Sequence, residues 1–356
     1  MHERFLEIEA SSGGSMRTRG LLSSMIVGAS FLVGCKSFQQ TPDEAMYRAP
    51  GARLLDETVD AGVPARLHWQ YAWLAVASYN AIVDLPGETE PLGSNTRVGP
   101  VTIEANGKSI TCDGPEEELK KAGWNRIDPI WPAPHDVIYP VLLRTHTRVQ
   151  VWENRAQKTL VVSFGGTDSG IDWRSNFRWF IPESEDEYSI VAKQVTTAFA
   201  AEFKRRLQQP ENAYLREMKL NTTGHSLGGG LAQQFAYALP ADPDGLVPRV
   251  SRIYAFDSSP VTGHGDVDEA TLRTNVIGMR TDRIYERGEF LAAARAFTGL
   301  FLVPSDKNPA IRGVRYMFFW KTPVDAVSSH SMPRLACYLQ HSKDRPIPAG
   351  QRVEED

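Results

Sequence analysis

The stretch that decides the fold is Met218-Lys219-Leu220-Asn221-Thr222-Thr223-Gly224-His225-Ser226-Leu227-Gly228-Gly229-Gly230-Leu231-Ala232. Residues 218–223 are typical of a short buried strand. After Ser226, apolar residues recur every four positions as far as Pro240, which is typical of a helix. The stretch therefore predicts a strand, a sharp turn and a helix in immediate succession.

The turn carries the pattern G-x-S-x-G at residues 224–228. Glycines on both sides of Ser226 allow a tight turn with a strained backbone at the serine. The positive end of the helix dipole then points at the serine oxygen. This context predicts that Ser226 is a nucleophile and that the Leu227 N–H donates to an oxyanion.

The rest of the chain alternates between strand and helix patterns, which predicts an α/β domain with a mostly parallel central sheet and helices on both faces. We expect this domain over residues 63–345, followed by a polar tail over 346–356. A hairpin is predicted around Asn106-Gly107. The predicted strands are 147–152, 159–164, 218–223, 250–256, 275–280 and 314–320, and the predicted helices are 68–83, 191–207 and 227–239.

Residues 1–35 read as an upstream extension and a secretory signal, with Arg17 and Arg19 before the apolar run Leu21–Val33. That run is shorter than the roughly 20 residues of a membrane span. Its end, Leu32-Val33-Gly34-Cys35, resembles the bacterial lipoprotein signal, in which the cysteine is lipidated. This implies a palmitate-type anchor on Cys35 at a membrane of the bacterial cell envelope; an uncleaved anchor and an ordinary secretory peptide are the alternatives. Residues 36–62 are polar and predict a flexible tether.

Composition and charge exclude several classes of function. The chain has 356 residues and a formal net charge of −4, and it shows no basic stripe, zinc-type spacing or phosphate-binding loop. We therefore expect no nucleic-acid partner, metal or cofactor. Cys112 and Cys337 remain besides Cys35, and the sequence leaves their pairing open.

The stretch Thr223–Ala232 closely resembles the nucleophile turn of the class 3 lipase family, which has the α/β-hydrolase fold. Val162-Ser163-Phe164-Gly165-Gly166-Thr167-Asp168 is similar to the oxyanion strand of that family, and Asp172-Trp173 to a dipeptide that follows it. Gly165 departs from the family, which usually has arginine there. The resemblance implies that Thr167 supplies a second oxyanion donor.

Two apolar stretches are candidates for a lid or an acyl pocket, and plain core packing is the alternative for both. The first follows the oxyanion strand and contains Ile171, Trp173, Phe177, Trp179, Phe180 and Ile181. The second is residues 292–303.

In this fold the nucleophile precedes the acid, and the acid precedes the histidine. Three histidines follow Ser226 in the sequence, at positions 264, 330 and 341. His330 follows the last predicted strand, so it is the predicted base. His341 lies in the polar C-terminal region, which leaves His264 as the main alternative. Asp282 follows the predicted strand 275–280 and matches a family segment, which makes it the predicted acid. Asp257 is the second candidate and Glu286 the third.

The sequence thus predicts a serine hydrolase that cleaves carboxylic esters, with a lipid or small ester as substrate. A phospholipase or thioesterase would use the same triad. A non-catalytic envelope lipoprotein with a hydrolase-like fold is the non-enzymatic alternative. The substrate head group, the acyl length and the oligomeric state are left open.

Overall fold

The structure is a computed structural model of the chain. It describes residues 39–354 except 53, 81–97, 106, 128–140, 143–146, 167–186, 260–261, 264, 266, 289–309 and 320–329. The chain divides into two units, Met1–Gln40 and Thr41–Asp356, and we describe the second. Cys35, Thr167, Asp172, Trp173, His264 and both apolar stretches lie outside the described residues.

Eleven strands and seven α-helices are described in this unit. The strands are β1 (Glu44–Arg48), β2 (Glu57–Asp60), β3 (Val101–Ala105), β4 (Lys108–Cys112), β5 (Asn125–Arg126), β6 (Val149–Asn154), β7 (Thr159–Phe164), β8 (Lys219–His225), β9 (Val250–Phe256), β10 (Arg280–Glu286) and β11 (Ala310–Tyr316). The α-helices are α1 (Gly62–Ala77), α2 (Pro115–Lys121), α3 (Glu187–Ile190), α4 (Thr196–Leu207), α5 (Leu227–Ala238), α6 (Glu269–Asn275) and α7 (Met332–Ser342). A π-helical turn, Val191–Val195, joins α3 to α4.

Nine strands form one sheet in the order β2-β1-β11-β10-β9-β8-β7-β6-β5. The five strands from β7 to β11 run parallel to one another. The two strands added at each side of these five, β6 and β5 on one side and β1 and β2 on the other, pair in antiparallel fashion. β3 and β4 form the predicted hairpin as a separate two-stranded sheet. The predicted α/β-hydrolase fold, with its mostly parallel central sheet, is confirmed.

The two faces of the sheet bury two separate cores, because side chains alternate along each strand. Val162 and Ile253 face the core that contains α4 and α5. Val161 and Tyr254, their neighbours in sequence, face the core that contains α1 and α7. Helices therefore cover both faces, as a buried parallel sheet requires.

The predicted flexible tether over residues 36–62 is wrong from residue 44 onward. β1 pairs with β11, and β2 pairs with β1, so this segment extends one edge of the sheet. The polar C-terminal residues also pack against the domain: Gln351 Oε1 accepts the Asp60 N–H at 3.0 Å. The polar side chains of both segments have partners that are distant in sequence, so a local sequence pattern does not reveal that these segments are ordered.

The predicted strand 275–280 is displaced in the structure. Residues Glu269–Asn275 form α6, whose N-cap Asp268 accepts the N–H groups of Ala270 and Thr271. The strand begins at Arg280 instead. This shift places Asp282 inside β10 rather than after its end.

Cys112 and Cys337 form a disulfide with a Cα–Cα distance of 5.9 Å, which resolves the pairing that the sequence left open. The bond joins the β3–β4 hairpin to α7. The Tyr338 hydroxyl makes a second link when it donates to the Glu104 carbonyl at 2.6 Å. Over the described part of the chain, no helix combines the length and the apolar character that crossing a membrane requires.

Candidate active site

Ser226 occupies the turn between β8 and α5 in a strained conformation, with φ +57° and ψ −124°. Positive φ is rare for any residue with a side chain and occurs mainly where function requires it. The backbone around it is held by hydrogen bonds. The Ser226 N–H donates to the Phe256 carbonyl at 3.0 Å, and the Ser226 carbonyl accepts N–H groups from Gly229 and Ser259. The structure thus builds the turn that the G-x-S-x-G pattern predicts.

The glycines around this turn allow main-chain segments to approach each other closely. A Cβ atom at Gly224 would lie 2.2 Å from the Gly228 carbonyl oxygen, and one at Gly228 would lie 2.2 Å from the Phe164 carbonyl oxygen. Both contacts are with backbone, which cannot move aside. The elbow therefore requires hydrogen at these two positions.

The end of β7 lies against the serine. A Cβ atom at Gly166 would lie 3.3 Å from the Ser226 Cβ atom. Thr167 follows directly in the sequence but lies outside the described residues. Leu227 is the first residue of α5, and the N–H groups of a first helical turn have no partner within the helix. Leu227 is thus in place to donate to an oxyanion.

Gly165, where the resemblance leads one to expect arginine, has no room for a side chain. A Cβ atom there would lie 2.9 Å from the Cβ atom of Arg148 and 2.9 Å from the Ser78 carbonyl oxygen. Arg148 is buried, and its guanidinium lies 5.8 Å from the ring centre of Tyr79. At the position where the family has an arginine, this chain therefore has a glycine, and Arg148, which directly precedes β6, fills the adjacent space.

His330 lies directly before α7, next to the nucleophile turn. Its ring centre is 4.4 Å from that of His225, the residue that precedes Ser226. His341 is exposed and belongs to the last turn of α7, about 16 Å further along the helix by its rise per residue. The structure thus brings His330, and not His341, to the serine turn.

Asp257 follows the end of β9 and is fully buried. It has a strained backbone too, with φ +39°. Its N–H donates to the Ile284 carbonyl at 2.7 Å, and its Oδ1 accepts the Glu286 N–H at 3.0 Å. A nitrogen of His225, a nitrogen of His330 and a carboxylate oxygen of Asp257 lie within 4.8 Å of one another. Two strained residues, Ser226 and Asp257, therefore lie at the carboxyl ends of the neighbouring strands β8 and β9, and two histidines lie close to Asp257.

Asp282, the acid predicted from the sequence, is not part of this group. Asp282 pairs with Tyr254 of β9, and Tyr254 comes three residues before Asp257. Asp282 therefore lies about 10 Å closer to the amino ends of the strands than Asp257 does. Arg312 donates to Asp282 at 2.9 and 3.0 Å, Arg252 donates at 2.8 Å, and His68 Nε2 lies 3.3 Å away. The structure thus places Asp282 among arginines of the two neighbouring strands, where it neutralises their charge, and not at the serine turn.

The pKa directions of Asp282 and His68 agree with a structural role for this carboxylate. The pKa of Asp282 lies well below its usual value: burial alone would raise it, but the His68 hydrogen bond and the Arg252 and Arg312 charges outweigh burial. Burial lowers the pKa of His68, so the imidazole is neutral. Asp282 is therefore an ionised carboxylate near neutral pH, and neither Asp282 nor His68 exchanges a proton there.

Tyr79 lies beside the nucleophile turn, and no sequence pattern singles it out. It belongs to the short 3-10 helix Ser78–Asn80 after α1, and its hydroxyl lies 2.6 Å from Nδ1 of His225. A Cβ atom at Gly166 would lie 2.7 Å from the same hydroxyl. Tyr79 therefore orients His225 beside the nucleophile; its position depends on tertiary packing, which no local pattern encodes.

His225, Asp257 and His330 are also residue types that bind metal ions. They also lie near a strained serine at a helix N-terminus, since His225 directly precedes Ser226, and a serine nucleophile requires a base and an acid. We therefore interpret the group as an acid–base set.

The chain is similar to a phospholipase family model and to several lipases of known structure. The family model of the Tle-like phospholipase domain matches residues 113–244, a segment that includes the nucleophile elbow. The lipase from Rhizopus microsporus var. chinensis is 18% identical over 63% of this chain and 67% of its own, with a TM-score of 0.39.

The Rhizomucor miehei lipase propeptide complex is 18% identical over 69% of this chain and 68% of its own, with a TM-score of 0.36. Lip2 lipase from Yarrowia lipolytica is 12% identical over 75% and 92%, with a TM-score of 0.41. No curated protein matches the chain significantly. The family match thus covers the segment that leads to and contains the elbow.

Proposed function

We propose that the protein is a serine hydrolase that cleaves carboxylic esters of lipids. The observation that carries the proposal is the strained Ser226 at the start of α5, with Asp257 at the end of the neighbouring strand β9 and His330 close to Asp257 and His225. In this assignment Ser226 is the nucleophile, His330 the base and Asp257 the acid that orients the base. Thr167 and Leu227 are the proposed oxyanion donors.

The proposed reaction is acyl transfer to water. His330 accepts the hydroxyl proton of Ser226 as the oxygen attacks the ester carbonyl carbon. The negative charge on the carbonyl oxygen develops toward the Leu227 N–H, where the α5 dipole also stabilises it. His330 then gives its proton to the leaving alcohol, and a water molecule deprotonated by His330 hydrolyses the acyl-enzyme. Asp257 stabilises the imidazolium in both steps.

A phospholipid is the favoured lipid class among the alternatives, because the matching family model describes a phospholipase domain. Triacylglycerols and simple esters use the same chemistry, so the assay must compare them. Ester hydrolysis is measured on a phospholipid, a triacylglycerol, a soluble aryl ester and a thioester, with Ser226→Ala as the control. Equal rates for wild type and Ser226→Ala on every substrate would reject the proposal.

The location at the cell envelope is a second part of the proposal. It is supported by the Cys112–Cys337 disulfide, because structural disulfides persist mainly in oxidising compartments. We propose that Cys35 carries the lipid anchor. Cells fed radioactive palmitate should label the wild-type protein and not Cys35→Ala; an unlabelled wild-type protein would exclude lipidation.

A further inference from the structure

Glu286 is a second buried carboxyl beside the proposed acid. It is the last residue of β10 and is fully buried. Its backbone N–H donates to Asp257 Oδ1 at 3.0 Å, and its own Oε1 accepts the Phe319 N–H at 3.0 Å. Residues 320–329 then lead to His330. Glu286 is thus bonded on one side to the acid and on the other to the segment that precedes the base.

The surroundings of Glu286 disfavour its charged form. The titratable groups around it are Asp257 on the turn after β9, Arg315 on β11, and Arg334 and Tyr338 on α7. Within the described chain no cation hydrogen-bonds to its carboxyl, and Oε2 is buried with no hydrogen-bond partner. Burial, together with the Asp257 charge, raises the pKa of Glu286 to about 8.

The contrast with Asp282 on the same strand shows the cause. Both carboxyls are buried, but Asp282 bonds to two arginines and His68. The Glu286 carboxyl accepts backbone N–H groups of Phe318 and Phe319, and the Asp257 charge acts on it from nearby. One environment stabilises a carboxylate and the other stabilises a neutral carboxylic acid.

We propose that Glu286 is a positioning residue that acts as an uncharged carboxylic acid, joins the Asp257 turn to the segment before His330, and inactivates the site when it loses its proton. This inference rests on the proposed function. Ionised Glu286 would place a second negative charge beside Asp257 in a buried site, where it is not compensated by a bonded cation. Repulsion between the two carboxylates would then move Asp257 away from the base.

The test is the pH dependence of kcat/KM on a soluble ester, per titrated active site, between about pH 6 and 10. Wild type should lose activity about tenfold or more across this range, with a midpoint near 8. Glu286→Gln keeps an oxygen acceptor for Phe319 but cannot ionise, so its alkaline decline should disappear. Superimposable profiles for wild type and Glu286→Gln would overturn the proposal.

Glu202→Gln is the matched control. Glu202 on α4 is equally buried, but its carboxylate accepts hydrogen bonds from Arg205 and Arg206. Glu202→Gln should therefore change stability and leave the pH midpoint at the wild-type value. If it removes the alkaline decline as Glu286→Gln should, the decline reflects general stability and the proposal is wrong.

Infrared spectroscopy separates this inference from the proposed function. The difference spectrum of wild type and Glu286→Gln, each carrying Ser226→Ala, should show the carbonyl band of a protonated carboxylic acid at pH 7. Absence of that band overturns the inference even if the enzyme is active. Failure of the wild type to react with a fluorophosphonate rejects the proposed function, and the positioning role with it.

Discussion

Replacing Asp282 by asparagine separates a structural carboxylate from a catalytic one. Asp282 accepts two hydrogen bonds from Arg312 and one from Arg252, and its Oδ2 lies 3.3 Å from His68. Asparagine keeps the shape but removes the charge, so the two arginines lose a buried counter-ion. Breaking a buried ion pair by removing one partner costs about 3–5 kcal/mol. At about 2–4 °C per kcal/mol for a domain of this size, Tm should fall by roughly 10 °C.

The sign of the pH dependence follows from the lowered pKa of Asp282. A carboxyl with a depressed folded-state pKa stabilises the protein above the pKa of the unfolded chain, about 3.9, and this stabilisation is lost as pH falls through the folded-state value. The difference in unfolding free energy between wild type and Asp282→Asn should therefore be constant from about pH 5 to 8. It should shrink only below about pH 4.

The assay is urea unfolding at several pH values, together with active-site titration and kcat at a temperature where both proteins are folded. Asp344→Asn is the control, because Asp344 is 77% exposed and its loss should cost less than about 0.5 kcal/mol. Asp282→Asn should keep kcat per folded molecule within a few-fold of wild type. A loss of about 10⁴ in kcat with unchanged stability would refute the structural role and return Asp282 to the triad.

Three further perturbations test other contacts. Tyr79→Phe removes the hydroxyl at His225 Nδ1 and should lower kcat/KM by up to about tenfold at unchanged Tm, since one hydrogen bond is worth about 1 kcal/mol; a fall in Tm alone would contradict this. Glu286→Gln should stabilise the protein at pH 7 by about 3 kcal/mol in urea unfolding. The reason is that the raised pKa of Glu286 makes wild type lose stability as pH rises from about 4.5 to 8. A gain in stability that persists at pH 4 would be inconsistent with this cause. Cys337→Ser should lower the unfolding free energy by about 2–5 kcal/mol in the absence of reductant, and addition of reductant should bring wild type to the same value.

The elbow was predictable because its determinants are local. Gly224, Ser226 and Gly228 lie within five consecutive residues, and the strand before and the helix after them carry clear apolar patterns. The structure confirms the turn, the left-handed backbone at the serine and the close packing that requires the glycines. The last described strand, β11, also ends before His330, as the predicted order of strands requires.

The position of Asp282 was not predictable, because it depends on where one polar strand begins. β10 contains Arg280, Asp282 and Arg283, so it does not resemble a buried strand. Its charged side chains have partners distant in sequence: Glu354 pairs with Arg280, and Gln233 accepts a hydrogen bond from Arg283. The same reason explains the error at β1 and β2, whose polar residues pair across the sheet edge.

The most direct test of the central claim is labelling by a fluorophosphonate probe. Wild type and Asp282→Asn should label at comparable rates per folded molecule, Ser226→Ala should not label, and Asp257→Asn and His330→Ala should label several orders of magnitude more slowly. Rapid labelling of Asp257→Asn together with slow labelling of folded Asp282→Asn would contradict the site described here.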